Sequence, residues 1–182
     1  GEGGNTLAVF GAERPDGSRF VFYELVVGTW GGTPRYDGND GLTNPASLAA
    51  NIPVEVAESE FPIRIERYGL VPGSGGDGRH RGGLAVERVW RCLTPDTSLI
   101  VRSDRSAHPP YGLHGGQPGA LSSNLLIRAD GTEEVLPSMF STTMTWNWRG
   151  RQITAAMASS VSVIQLKPLP TASKRSRRAS SG

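Results

Sequence analysis

Four short stretches of this chain hold the residue types that do chemistry. Gly73 to Gly83 places Asp77, Arg79 and Arg81 among six glycines. Glycine is used where the backbone must take φ > 0 or run close to another group, so the stretch reads either as a site or as a corner where layers pack. As a site it would offer backbone N–H groups and two guanidinium groups to a phosphate. It lacks the Gly-Lys-Ser/Thr ending of a P-loop, and a strand pattern follows it rather than a helix; a structural corner or subunit contact fits better than ATP binding. The second stretch is acidic: Glu55, Glu58 and Glu60 lie within ten residues of Asn51. In a strand-like course Glu58 and Glu60 share a face, and a close pair would push one pKa upwards for acid–base work; the other reading is a solvated acidic edge. The third, Ser103-Asp104-Arg105, sets a hydroxyl, a carboxylate and a guanidinium at a strand end. It can face a ligand, or it can be an internal ion pair holding the next loop. In the fourth, His108 and His114 flank two prolines and a glycine. No His-x-x-x-His or Cys-x-x-Cys spacing supports a zinc site among them. Cys92, beside Trp90 and Leu93, reads as a small buried hydrophobe, and no Gly-x-Ser-x-Gly elbow occurs.

The elements that must position these residues are mostly strands. Leu7–Phe10 and Phe20–Val27 flank Pro15-Asp16-Gly17-Ser18, whose residue types supply turn dihedrals directly, so a hairpin is expected. Ala46–Ala50 could form a short helix after Asn44-Pro45, cut off by Pro53. Residues 63–70 alternate in the β manner, and 84–93 alternate too, with Val86, Arg88, Trp90 and Cys92 in one phase. Residues 99–102 read as a further strand, and 125–129 and 133–136 as strands around Asp130-Gly131. The expected fold class is α+β, predominantly β in this segment, with mixed or antiparallel strands and long glycine-rich ordered loops.

Composition divides the chain. Residues 1–138 hold 12 basic residues, all arginine, against all 17 acids, a net charge of −5; residues 139–182 hold seven basic residues and no acid. Of the 24 glycines, only Gly150 and Gly182 lie beyond residue 138. The simultaneous loss of acids and glycines is expected to mark a divergent ending at 139–182, either frameshifted near 139–145 or a disordered basic tail. A basic cluster at Lys174–Arg178 could attract nucleic acid or an acidic membrane surface, yet no aromatic residues interleave it and the preceding segment is acidic, so neither partner is expected. One cysteine excludes an internal disulfide framework and fits a reducing cytoplasm. No 18-residue apolar run is present.

The glycine clusters also recur in a particular order. Gly28-Thr29-Trp30-Gly31-Gly32 follows Phe22-Tyr23-Glu24. Next come Asp37-Gly38-Asn39-Asp40-Gly41, Asn51-Ile52-Pro53-Val54-Glu55, the Gly73–Gly83 stretch, Ser103-Asp104-Arg105, Pro109-Pro110-Tyr111-Gly112-Leu113-His114-Gly115-Gly116-Gln117-Pro118-Gly119 and Leu136-Pro137-Ser138. This ordered set resembles the C-terminal part of the hydantoinase B/oxoprolinase family over about residues 1–138. The family's subunits are several times longer, and the chain begins with Gly1, so a fragment is expected. The resemblance implies a B-type subunit in a hetero-oligomer with a hydantoinase A-type subunit that binds ATP, opening a cyclic amide such as a hydantoin or 5-oxoproline. A neighbouring branch carboxylates a ketone instead. It further implies that any divalent metal sits in an N-terminal portion outside this chain. From the residues themselves, the catalytic candidates are Glu55, Asp77, Arg79, Arg81, Asp104 and Arg105. The competing expectation is a non-catalytic scaffold and subunit-contact segment.

Overall fold

The computed structural model of the chain describes residues 4–43, 46–128, 131–144, 151–158 and 167–168. Strands β1 (Thr6–Glu13) and β2 (Arg19–Val26) form the expected hairpin, paired from Thr6↔Val26 to Glu13↔Arg19. The turn is held by Arg14 N–H donating to the Ser18 carbonyl at 2.7 Å and by Asp16, whose carboxylate accepts from Ser18 N–H at 2.9 Å. Gly17 sits there at φ +83°, a conformation that costs other residues.

The expected helix at Ala46–Ala50 is not formed; these residues are turn and coil, with Leu48 at φ +47°. The helix lies beyond Pro53 instead, as α1 (Val54–Glu60). Proline is a poor residue inside a helix but costs nothing at its start, where its missing N–H would have no partner; Pro53 thus begins a helix rather than ending one. The strand-like course for Glu58 and Glu60 is corrected with it, because residues two apart on a helix point to different sides. Glu58 instead accepts from the Ile65 backbone N–H at 2.8 Å.

Strands β3 (Ile63–Leu70), β4 (Val86–Cys92), β5 (Thr97–Arg102), β6 (Asn124–Ile127), β7 (Glu133–Leu136), β8 (Met139–Met144), β9 (Arg151–Ala158) and β10 (Lys167–Pro168) follow. The described strands make two antiparallel sheets, one in the order β2-β1-β5-β8, the other β3-β4-β9-β6-β7 with β10 on β9. The composition change after residue 138 does not interrupt pairing, since β8 begins at Met139 and runs in register with β5. Trp146–Arg149 and the basic run Lys174–Arg178 lie outside the described residues.

The sheets share one core. Alternate residues of the first sheet (Ala8, Phe10, Phe22, Val26, Leu99, Val101) meet Ile63, Val86, Trp90 and Cys92 of the second. Phe10 contacts Trp90 with ring centroids 5.6 Å apart, which ties the layers together directly. Cys92 is buried here as expected, and burial pushes its thiol up to about 12.

Candidate functional site

Three of the loops left over by the strands meet backbone to backbone. Gly83 N–H donates to the Trp30 carbonyl at 2.8 Å, and Gly38 N–H to the Arg81 carbonyl at 2.7 Å, joining the stretch after β2 to the one before β4. Gln117 N–H donates to the Asp77 carbonyl at 2.7 Å, and Ala120 N–H to the Ser74 carbonyl at 2.9 Å, adding the third stretch. A Cβ on Gly32 would lie 2.5 Å from the His80 carbonyl oxygen, and one on Gly83 would overlap the Asn39 carbonyl. Glycine is required at these two positions because another segment's main chain occupies the space of a side chain.

Into this corner the sequence builds an ion pair. Arg81 donates to Asp40 through both terminal nitrogens, at 2.9 and 3.2 Å, and to the Gly82 carbonyl at 2.9 Å. Asp40 also accepts from Leu84 N–H at 2.6 Å. The Arg81 hydrogen bond holds the Asp40 carboxyl below the usual range, and Asp40 in turn raises Arg81. Asp37 accepts from Arg81 N–H at 3.1 Å and lies 3.4 Å from His80 Nδ1. Arg81 is therefore a fastener between loops.

A second constellation lies at the end of β5. Ser103, buried, donates from its backbone N–H and its hydroxyl to the Ser138 carbonyl at 2.7 and 3.0 Å. Asn124 Nδ2 donates to the Ser103 hydroxyl at 3.0 Å and to the Pro137 carbonyl at 2.8 Å. Arg105 takes φ +61°, a strained conformation for a long side chain, and its carbonyl accepts from Ser122 N–H at 2.9 Å. This bend opens a groove of about 400 Å³ lined by Gly4, Ser103–His108, Ser138 and Met139. Asp104 faces it beside Gly4, where a Cβ would stand 3.4 Å from Asp104 Oδ2. Among the described residues no hydrogen bond or ion pair engages the Asp104 carboxylate.

The six sequence candidates do not converge. Asp104 and Arg105 share the groove; Arg81 belongs to the corner; Asp77 and Arg79 lie on the same loop as Arg81; Glu55 is exposed in the first turn of α1. His108 lines the groove and His114 does not. Among the described residues no group of three or more His, Cys, Asp or Glu could hold a metal ion.

The sequence reading missed a third constellation, inside the sandwich. Glu24 and Arg88 are both fully buried, with Arg88 donating to Glu24 at 3.0 Å and to the Ile52 carbonyl at 2.9 Å. Glu24 also accepts from Trp90 Nε1 at 3.0 Å and from Ile52 N–H at 3.1 Å. The Tyr68 ring covers the guanidinium at 4.5 Å, and its hydroxyl donates to Asn51 at 3.1 Å. Burial raises the Glu24 carboxyl, with Arg88 the main opposing influence. The signal was available: Glu24 alternates with Phe22 and Val26, and Arg88 with Val86 and Trp90, one charge of each sign on an apolar stripe.

Comparison with known proteins decides the kinship of these elements. The model of the hydantoinase B/oxoprolinase family matches residues 1–160, most of the chain. The chain belongs to the hydantoinase B/oxoprolinase family. It is 34% identical over 111 residues to 5-oxoprolinase 1 of Arabidopsis thaliana, covering 61% of this chain and 9% of that protein. To a Pseudomonas sp. protein named as the B-type component of a D-/L-hydantoinase it is 32% identical over 137 residues, 74% of this chain and 23% of the relative. The fold is that of a nucleotide-free acetone carboxylase structure (TM-score 0.65, 14% identity, 90% of this chain, 26% of that one). An ATP-dependent caprolactamase from Pseudomonas jessenii gives a TM-score of 0.61 at 18% identity, over 85% of this chain and 28% of its own. The chain thus spans less than a third of the length of each of these four. Among the described residues no helix is long and apolar enough to cross a membrane.

Proposed function

We propose that this chain is the C-terminal sandwich of a B-type subunit of an ATP-dependent cyclic-amide hydrolase acting in the cytoplasm. The observation that carries the reading is the family match over residues 1–160, with relatives named for 5-oxoproline and hydantoin among those it resembles. An unstrained lactam resists water; phosphorylating its carbonyl oxygen creates a leaving group, and ATP supplies that phosphoryl group on the A-type partner of a hetero-oligomer. The hydrolytic half then falls to the B-type partner, with any divalent metal in the part this chain does not span. Within the chain, the groove at Asp104 and Arg105 is the place for a substrate contact. It couples an unengaged carboxylate to a cavity, and the strained backbone at Arg105 is the kind of feature that clusters at ligand clamps. The test is Asp104→Ala in the intact protein with its partner: turnover should fall while assembly persists, and unchanged turnover removes the groove from the chemistry.

The second reading, a scaffold with the catalytic groups upstream, is favoured by Arg81. Its guanidinium is occupied by Asp40 and the Gly82 carbonyl, which leaves it as a brace. On this reading Arg81→Ala and Asp77→Ala disturb assembly before turnover. An acetone-type carboxylase is the remaining chemistry, separable by supplying bicarbonate and a ketone in place of a lactam.

For the ending, we infer a frame change near residues 139–145, on the simultaneous loss of acids and of all but two glycines beyond residue 138. The family match extending to residue 160 weighs against it. Re-reading the coding DNA in the other two frames is the test: a glycine-rich continuation supports a frame change, and its absence in both removes it.

A further inference from the structure

The outer face of the first sheet differs in kind from that of the β3–β4 pair. An antiparallel sheet with one face in water alternates apolar-in with polar-out. The β3–β4 pair of the second sheet obeys this, with ion pairs Arg67–Glu87 and Arg91–Glu66 across it, whereas on β6–β7 Leu125 stands opposite the exposed Val135. The first sheet does not. Across three of its strands Tyr23, Val9 and Ile100 stand in register, forming an apolar row on the side away from the core. Leu7 and Leu25 form the next row, continued by Arg102 on β5 and Met139 on β8, Val21 lies on the other side, and Ser141 ends the Tyr23–Val9–Ile100 row on β8. Tyr23 is 52% exposed, Ile100 48%, Val21 66% and Met139 62%. A contiguous apolar patch depleted of charge at its centre is the composition of an interface core.

From this we infer that the outer face of the β2-β1-β5-β8 sheet is covered by an apolar element from the remainder of a family subunit, making a third layer on the sandwich. The length of chain outside this structure supports that occupant. The 182 residues match 90% of themselves but only 26% of the acetone carboxylase chain, and 85% of themselves but only 28% of the caprolactamase chain, so most of such a subunit is free to supply the layer.

The chain supplies its own probe background, because its one cysteine, Cys92, is buried with its thiol pushed up to about 12. Tyr23→Cys and, separately, Ile100→Cys place a thiol on the face, and Arg64→Cys places one on the charged face as a control. Labelling rates are compared between the 182-residue chain and the polypeptide or complex read from its native locus that carries the rest of a family subunit. The expected result is fast labelling of Cys at positions 23 and 100 in the short chain and roughly hundredfold protection in the larger assembly, with the control position unchanged. Equal rates in both overturn the inference. So does protection already present in the short chain at twice its monomer mass, which would make a second copy the occupant. A locus holding no further family-like coding also overturns it.

Discussion

Two arginine–carboxylate pairs, Glu24–Arg88 in the core and Asp40–Arg81 in the corner, have the same chemistry and opposite consequences. At 3.0 and 2.9 Å their closest contacts are alike. Arg88 and Glu24 are fully buried, whereas the Arg81 and Asp40 side chains keep 42% and 25% of their exposure. Burial wins over attraction at Glu24, whose carboxyl is raised, and attraction wins over burial at Asp40, whose carboxyl is lowered. The core pair is therefore costly to form and far costlier to break, because removing one partner strands a charge away from water. The corner pair is cheap, and its worth lies in which loops it joins.

The harshest way to break the comparison is Glu24→Ala, which leaves the Arg88 guanidinium buried and uncompensated. We expect a loss of about 3–5 kcal/mol in urea unfolding. The double variant Glu24→Gln/Arg88→Met should recover most of that, since a neutral pair of similar volume needs no charge compensation; a double variant as unstable as Glu24→Ala would show that packing rather than charge sets the cost. In the corner the largest effect should come from the backbone: Gly83→Ala forces a methyl group onto the Asn39 carbonyl and should cost roughly 1–3 kcal/mol. Asp40→Ala should cost less, about 1–2 kcal/mol, chiefly by leaving Leu84 N–H without its acceptor. If thermal unfolding ranks Asp40→Ala above Gly83→Ala, the ion pair and not the close backbone contact holds the loops.

The smallest effect sharpens the contrast through pH. Asp40 has a folded pKa below its ordinary 3.8, so its stabilisation is present above that value and is lost as pH falls through the folded one. Glu24 runs the other way. Its folded pKa lies above its ordinary 4.5, so the fold is favoured below 4.5 and loses that advantage as pH rises through the folded value. Asp40→Asn should flatten the acid limb of a stability–pH curve, and Glu24→Gln should flatten the limb above 4.5. Identical curves for both variants would deny the difference.

What the sequence could tell about these regions follows from distance along the chain. The hairpin was legible because Pro15-Asp16-Gly17-Ser18 encodes its own turn and the strands simply run back from it. Cys92 was legible because alternation fixes which face it takes. The helix was misplaced by one proline, whose effect reverses between the interior and the start of a helix. The Glu24–Arg88 pair escaped because alternation assigns each residue to an inner face without saying which inner faces oppose. Asp104 and Arg105 were placed at a strand end, as found, but their separation from Asp77 and Arg81 depends on how the loops fold, and nothing local records that.

The corner also bears on the order in which the molecule assembles. Arg81 must find Asp40 across 41 residues, and the third loop must then be brought in as well. Each closure has an entropic cost that no local contact offsets beforehand, and such long-range meetings slow folding. The hairpin, closing over a few residues, can form early, while the corner waits for its three stretches of main chain to arrive together. Refolding should thus show protected β1–β2 amides before protected amides at Gly38 and Gly83, and a protease added during refolding should go on cutting the corner loops after the hairpin has become resistant.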